Sequence, residues 1–315
     1  FDVIHYHNMS LIGLNALTFG NAIKLFTFHD YWPVCPMHTL WKYNREVCTK
    51  RACVSCQIFG KRPVQWWRYS GMVNKALSHV DAFISPSVFT KQKYHELGLD
   101  VPIIHIPNFL PSAESCRDFV EDDYSIHQRP YFLFVGRLEK IKGVQNLITV
   151  FRKYSNADLI VAGDGEYGHT LRELAADVPN VRFLGWVSQG ELRSLYRGAT
   201  AVLVPSIWYE VFGMIVIEAF AMRVPVVVNN AGALPELVNQ SGGGFVYDND
   251  DGLISCMEKL RLNPDQRQML GAKGFQAYEK YWREDRYITQ YYQLIQDVAA
   301  RKNLKHPTVL ENLVS

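Results

Sequence analysis

The stretch Tyr131-Phe132-Leu133-Phe134-Val135-Gly136-Arg137-Leu138-Glu139-Lys140-Ile141-Lys142-Gly143 joins a short aromatic and branched apolar run to a loop bounded by two glycines. Five such residues in a row predict a strand of a layered parallel α/β sheet. The loop then lies beyond the strand's carboxyl end, the edge at which open α/β sheets bind ligands. Arg137 can fork two phosphate oxygens and Lys142 can add a point charge, the neutralisation that a departing diphosphate needs. The bland alternative is a solvated loop with ordinary surface cations.

Outward from this stretch the alternation repeats. Strands are predicted at 159–162, 181–184, 201–204, 225–228 and 244–246, with helices at 144–152, 169–176, 189–197, 213–222, 234–238 and 250–261. Six strands with helices between them make a complete doubly wound sheet. Upstream, strands are predicted at 3–6, 25–28, 82–84 and 103–106, and helices at 10–22, 66–78 and 87–97. That half has four strands and no glycine-rich opening turn, so it reads as an incomplete Rossmann-like domain. The expected organisation is an N-terminal domain over 1–112, a linker over 113–129 and a second domain over 130–280. A terminal helix over 281–300 should pack back toward the first domain, followed by a tail over 301–315. The linker is placed by the turn-rich, polar character of 107–129.

A length of 315 residues suits two domains, and 48% hydrophobic with 20% charged residues suits a soluble globular chain. The net charge of +2 gives no reason to propose a nucleic-acid partner. Apolar stretches such as 212–221 fall short of the roughly 18 residues needed to span a bilayer, and no secretory signal is visible. Phe1 is not a translational start, so the natural N-terminus is expected upstream. A cytoplasmic location is expected, with peripheral attachment to the inner face of a membrane as a further option. Trp66 and Trp67 with Lys61, Arg62 and Arg68 are the candidates for a membrane-facing rim, or else the Trp pair simply packs a helix.

Four cysteines, Cys35, Cys48, Cys53 and Cys56, have the spacing C-x12-C-x4-C-x2-C. Such spacing brings four thiolates within reach of one tetrahedral metal, and the C-x2-C pair resembles a zinc knuckle. A structural zinc competes with free or redox-labile thiols. A catalytic metal is disfavoured because four Cys ligands leave no open position. Cys116 and Cys256 are isolated and read as small packing residues.

The second chemical feature is Tyr209-Glu210-Val211-Phe212-Gly213-Met214-Ile215-Val216-Ile217-Glu218, two carboxylates straddling a glycine that opens an apolar helix. Gly213 lets backbone come close to a ligand, and the helix N-terminus favours phosphate. Glu210 and Glu218 can each hold sugar hydroxyls; an ordinary exposed pair is the alternative. Gly163-Asp164-Gly165 is a further turn after a strand, too short for the dinucleotide pattern of NAD sites. It is read equally as a tight turn or a ligand contact. Gly185-Trp186-Val187 offers backbone groups that can read a base edge, and Trp186 is equally a packing residue. His29, followed by Asp30, stands at a strand end, with His7-Asn8 a weaker candidate on the same rim.

These motifs in their order, Gly136-Arg137-Leu138 with Lys142-Gly143, Gly163-Asp164-Gly165, Phe183-Leu184-Gly185, Pro205-Ser206, the Glu210/Glu218 stretch and Ala231-Gly232-Ala233-Leu234-Pro235-Glu236, resemble the retaining GT-B glycosyltransferases of family four. The resemblance spans nearly the whole chain. It implies the GT-B fold, two Rossmann-like domains facing a cleft, and transfer of a sugar from a nucleotide-sugar co-substrate to a glycan or lipid-linked acceptor. The anomeric configuration would be kept and no catalytic cofactor used. Carried over by residue, Arg137 and Lys142 would bind the donor diphosphate, Glu218 the ribose and Glu210 the donor sugar. Phe212, Gly213 and Met214 would present backbone N–H groups, with Gly136, Gly163 and Gly165 lining the donor site. Gly185, Trp186 and Val187 would border the base. His29 would point toward the sugar, and Glu236 would shape the pocket. The favoured scheme is front-face attack, in which departing phosphate oxygens take the acceptor's proton. The family's opening βα units are missing, so another chain completing the N-terminal domain, a non-catalytic sugar-nucleotide binder, and a GT-B epimerase stay open as alternatives.

Overall fold

The computed structural model describes residues 2–10, 12–111 and 129–304. The chain divides into two compact units, Phe1–Asn108 with Asp285–Ser315, and Phe109–Glu284. The expected linker therefore falls, except for Arg129, outside the described residues, as do 305–315 of the expected tail.

The first unit carries β1 (Val3–Tyr6), β2 (Ile23–Thr27), a short antiparallel hairpin of β3 (Trp41–Lys42) and β4 (Glu46–Val47), then β5 (Ala82–Ser85) and β6 (Ile103–His105). The main sheet runs β1-β2-β5-β6 with all neighbours parallel. All five residues of β2 are buried, and its Lys24 satisfies a buried donor by giving a hydrogen bond from Nζ to Leu17 O at 2.8 Å. The terminal helix Glu284–Arg301 lays Leu294, Ile295, Val298 and Ala299 on Ile23, Leu25, Ala82 and Ile84. Its end is tied by Lys302 Nζ to Asp81 Oδ2 at 2.9 Å, and the same Asp81 oxygen accepts Lys24 N–H at 2.8 Å.

The second unit holds β7 (Tyr131–Val135), β8 (Asp158–Ala162), β9 (Val181–Gly185), β10 (Ala201–Val204), β11 (Val226–Asn229) and β12 (Gly244–Tyr247). Their order is β12-β11-β10-β7-β8-β9, parallel throughout. Alternate residues of β7 explain why its sequence is apolar without a break: Phe132 and Phe134 enter the core on one face, Tyr131 and Leu133 the core on the other. The strand order reverses between β7 and β10, and the crevice outside the carboxyl ends at such a reversal is where doubly wound sheets bind ligands.

Three helical expectations change. Among the described residues of 10–22 only a 3-10 turn, Leu14–Thr18, forms, because Gly13 and Gly20 at its borders adopt positive φ. The helix expected over 66–78 breaks at Gly71, which is left-handed, into a 3-10 turn Trp66–Tyr69 and the helix Met72–Leu77. The pattern also misses the 18-residue helix Pro264–Tyr281. Gly271 and Gly274 let this helix close on the helix Met214–Ala221. A Cβ on Gly274 would lie 2.3 Å from Phe220 Cδ1, and one on Gly271 2.0 Å from Arg223 O.

Candidate functional site

The loop after β7 is fixed by its neighbours. Gly136 N–H donates to Ala162 O at 3.0 Å, Leu138 N–H to Asp164 O at 3.0 Å, and Gly163 N–H to Gly185 O at 2.7 Å. A Cβ on Gly163 would stand 2.0 Å from Gly136 O, and one on Gly165 2.7 Å from Leu138 O. Gly163 and Gly165 are thus required by the approach of one loop to the next, which settles their tight-turn role whether or not a ligand touches them.

The same loop is clamped to the one after β10. Lys140–Lys142 forms a 3-10 turn ended by Gly143 at φ 79, where a Cβ would meet Pro205 O at 2.0 Å. Ile207 N–H donates to Ile141 O at 2.9 Å. This juncture at the sheet's reversal brings together two of the predicted residues. Lys142 Nζ donates to Glu210 Oε1 at 2.6 Å, and Ser206 Oγ donates to the same oxygen at 2.7 Å. Glu210 is 8% exposed, so these bonds offset the cost of burying its carboxyl group. Among the described residues its Oε2 receives no hydrogen bond. Lys142 Nζ also lies 5.5 Å from the centre of the Trp208 ring. An ammonium has three N–H groups, and Glu210 accepts from one. Asn229 Nδ2 holds Ser206 O at 2.8 Å, and Glu210 O accepts Ala233 N–H at 2.9 Å. Gly232 permits that last contact, since a Cβ there would come within 2.2 Å of Glu210 N.

Glu218 sits on the helix Met214–Ala221, whose N-cap Gly213 has φ 125. Tyr196 Oη donates to Glu218 Oε2 at 2.8 Å. Burial pushes the Glu218 carboxyl above the usual range, with the Tyr196 bond pulling the other way. Among the described residues Glu218 Oε1 receives no hydrogen bond. Phe212 is buried in the core beside Met214, so at these positions only backbone is offered to a ligand. Arg137 points away from the pair: its side chain is 75% exposed and meets Glu139 Oε1 at 2.6 Å. Trp186 is 82% exposed, which removes the packing alternative, and Gly185 has open space on its Cβ side. Val187 packs partly against the core, and Glu236 lies in the first turn of the helix Leu234–Ser241.

In the first unit, the ends of β1 and β2 hold three histidines together. His7 Nδ1 and His29 Nε2 share a hydrogen bond of 2.9 Å, His5 Nε2 pairs with Thr27 Oγ1 at 2.8 Å, and the His5 and His7 rings are 3.9 Å apart. Crowding by neighbouring atoms, then the charge of His7, lowers the His29 pKa to about 4 although the residue keeps exposed surface. Burial and the other two histidines lower His5 to about 3. His29 is therefore a neutral imidazole at pH 7, able to donate or accept a hydrogen bond. Asp30 is turned elsewhere, accepting Trp32 N–H at 2.8 Å and lying 3.5 Å from His38 Nδ1. His5, Tyr196 and Trp208 escape the sequence reading, and Ser206 enters it only as part of the Pro205-Ser206 motif, without its role as a donor to Glu210.

Cys35, Cys48, Cys53 and Cys56 are all free thiols. Among the described residues no group of three or more His, Cys, Asp or Glu side chains is arranged to hold a metal ion as it stands. No helix among them is long and apolar enough to cross a membrane. Of the rim residues, Trp66 is 67% exposed. Arg68 instead turns inward, donating from Nη1 to Trp32 O at 2.7 Å, and its guanidinium lies 4.6 Å from the Trp67 ring centre.

The family profile of glycosyl transferases group 1 matches residues 118–277. The chain is 35% identical over 172 residues to an uncharacterized glycosyltransferase of Methanocaldococcus jannaschii, covering 51% of this chain and 42% of that protein. It is 30% identical over 199 residues to the GDP-mannose-dependent alpha-(1-6)-phosphatidylinositol monomannoside mannosyltransferase of Mycobacterium tuberculosis, covering 58% of this chain and 51% of that one. The chain thus spans about half the length of these relatives. Among solved structures, sucrose-phosphate synthase from Thermosynechococcus elongatus aligns with a TM-score of 0.71 at 22% identity, covering 96% of this chain and 74% of that one. Anabaena HepE in complex with UDP and glucose aligns with a TM-score of 0.71 at 16% identity, covering 94% and 78%. The architecture is that of the GT-B fold, and the chain belongs to the glycosyl transferases group 1 family.

Proposed function

We propose that this chain is a retaining glycosyltransferase that moves a sugar from a nucleoside-diphosphate sugar to a glycan or lipid-linked acceptor, without a catalytic metal. The observation that carries the reading is the pair of carboxylates at the sheet's reversal. Glu210 is held by Lys142 and Ser206 through one oxygen and Glu218 by Tyr196 through one oxygen, leaving an oxygen on each for hydroxyl groups. Glu210 then grips the sugar and Glu218 the ribose. The remaining N–H groups of Lys142, the backbone N–H groups of Phe212, Gly213 and Met214 at the helix entrance and the swing of exposed Arg137 neutralise the diphosphate. Gly185, Trp186 and Val187 border the base. HepE, crystallised with UDP and glucose, gives a fold precedent for such a co-substrate.

In the reaction the bond from the anomeric carbon to the diphosphate oxygen breaks and the acceptor oxygen bonds to that carbon on the same face. The acceptor proton passes to the departing phosphate, and Lys142 and Arg137 stabilise the charge left there. His29, neutral at pH 7, orients a hydroxyl by hydrogen bonding. The exposed Ile58, Phe59, Trp66 and Tyr69 beside Lys61 and Arg62 support peripheral contact with a membrane that presents a lipid-linked acceptor. The tetracysteine segment is the place for any structural metal.

A thermal-shift panel of UDP- and GDP-sugars, followed by turnover with lipid-linked and soluble glycan acceptors, tests this reading. Stabilisation by one donor and acceptor-dependent release of its nucleotide are expected. Conversion of the donor sugar with no acceptor would identify an epimerase, and binding without turnover a sugar-nucleotide binder.

A further inference from the structure

The segment between Trp32 and the helix Met72–Leu77 has no task in the donor site, yet it collects four of the chain's six cysteines. Cys35 lies in the turn after Trp32, with its N–H donating to Tyr31 O at 2.7 Å. Cys48 leaves the β3–β4 hairpin, its N–H bonded to Leu40 O at 2.7 Å. Cys53 opens the helix Cys53–Phe59, and Cys56 follows one turn later on the same face. All four line a single cavity of about 20 Å³, the size of one water molecule or ion.

Two further features of this cavity depart from those of an ordinary buried thiol cluster. Lys42 lines the same cavity, and Arg51 and Arg68 line an adjoining one together with Cys53, so cationic side chains stand beside the cluster. Between Cys35 and Cys48 the non-glycine residues His38, Leu40, Tyr43 and Asn44 all have positive φ, from 52 to 68°. Each such residue costs on the order of 1–2 kcal/mol and persists where its surroundings over-determine it.

We propose that Cys35, Cys48, Cys53 and Cys56 form a structural zinc site that pins the cysteine-rich segment. Binding one Zn²⁺ releases the four thiol protons and leaves a tetrathiolate centre of charge −2, which Lys42, Arg51 and Arg68 offset; no electron is transferred. Among the described residues no three of these side chains stand in ligating positions, so closing the site takes rotation of the cysteine side chains toward the cavity they share. Four thiolates complete the tetrahedral shell, so the ion is structural and touches no substrate.

The test is the metal content of the full chain purified without a metal-affinity step, by inductively coupled plasma mass spectrometry. About one zinc per chain is expected. It should be lost in Cys53→Ser and in Cys56→Ser, and Co²⁺ substitution in the unaltered chain should give the thiolate charge-transfer and tetrahedral d–d bands of a four-sulfur site. The cobalt spectrum decides even if the serine variants fail to fold. Metal-free protein whose melting temperature ignores a strong zinc chelator, or a Cys53–Cys56 disulfide in freshly isolated protein, would overturn the proposal. Neither result bears on the glycosyltransferase reading, because no donor-site residue is involved.

Discussion

Replacing Lys142 by Met, Glu210 by Gln, and both together separates what this pair does for the fold from what it does for the ligand. Breaking a buried ion pair by removing one partner costs roughly 3–5 kcal/mol. Here the side chains retain 22% and 11% of their exposure and Ser206 still donates to Glu210, so Lys142→Met should cost less, about 2 kcal/mol. Glu210→Gln keeps an oxygen for Ser206 and should cost about 1 kcal/mol. In the double variant neither charge is stranded, and its loss should fall short of the sum by about 1 kcal/mol or more, since neighbours in one network are non-additive. Native-state hydrogen exchange at the β7 and β10 amides reports the second unit alone, which avoids assuming that the two units unfold together. Additivity within ~0.5 kcal/mol would refute the coupling. Turnover should separate the roles: the double variant recovers stability but stays at least about tenfold impaired, because a charged hydrogen bond to phosphate of about 1.5–3 kcal/mol is still missing. Recovery of full turnover would mean that Lys142 serves only Glu210.

Other expectations follow from the same geometry. Because the Glu218 carboxyl is raised by burial, the folded state holds its proton more tightly than the unfolded state. Stability therefore falls as pH rises from the ordinary carboxylate range through the raised value, and Glu218→Gln should flatten that slope and raise the melting temperature at neutral pH. The same variant should weaken nucleotide binding about tenfold or more, through loss of a charged hydrogen bond of about 1.5–3 kcal/mol; unchanged affinity would remove Glu218 from the ribose site. Imidazole NMR should find His29 neutral down to about pH 5, given its pKa of about 4. His7→Ala should raise that value, and a midpoint at the ordinary 6.5 in the unaltered protein would contradict the histidine cluster. Gly274→Ala improves helix propensity by about 1 kcal/mol. It also forces a methyl to 2.3 Å from Phe220, so overpacking of roughly 1–3 kcal/mol should win and lower the melting temperature.

Much of the second unit is legible in the sequence because parallel strands buried on both faces leave short apolar runs that nothing else explains. The strand at Tyr131–Val135 is one, and all six of the unit's strands were placed within a residue or two. The helix Pro264–Tyr281 was not, since its packing face sets Gly271 and Gly274 between Leu270, Ala277 and Tyr278, and the meaning of Gly274 appears only when Phe220 lies against it. The site follows the same division. Residues within one stretch, such as Glu210 and Glu218, declare themselves by spacing. Their partners do not: Tyr196 and Glu218 are 22 positions apart, and Lys142 and Glu210 are 68 apart, so their pairing is a product of strand order. By sequence Lys142 and Glu210 are two separate ligands of the donor, and the fold joins them to each other. Arg137, in contrast, is joined to neither carboxylate: its side chain is 75% exposed and pairs with Glu139.

The central claim is that the crevice at the β7/β10 reversal receives a nucleoside diphosphate. Isothermal titration of UDP and of GDP into the full chain, alongside Arg137→Ala, Lys142→Ala and their combination, tests it most directly. One nucleotide should bind with about one equivalent per chain, each single variant should weaken it about tenfold or more, and the combination should abolish measurable binding. No heat with either nucleotide, or undiminished affinity in the combined variant, would contradict the account.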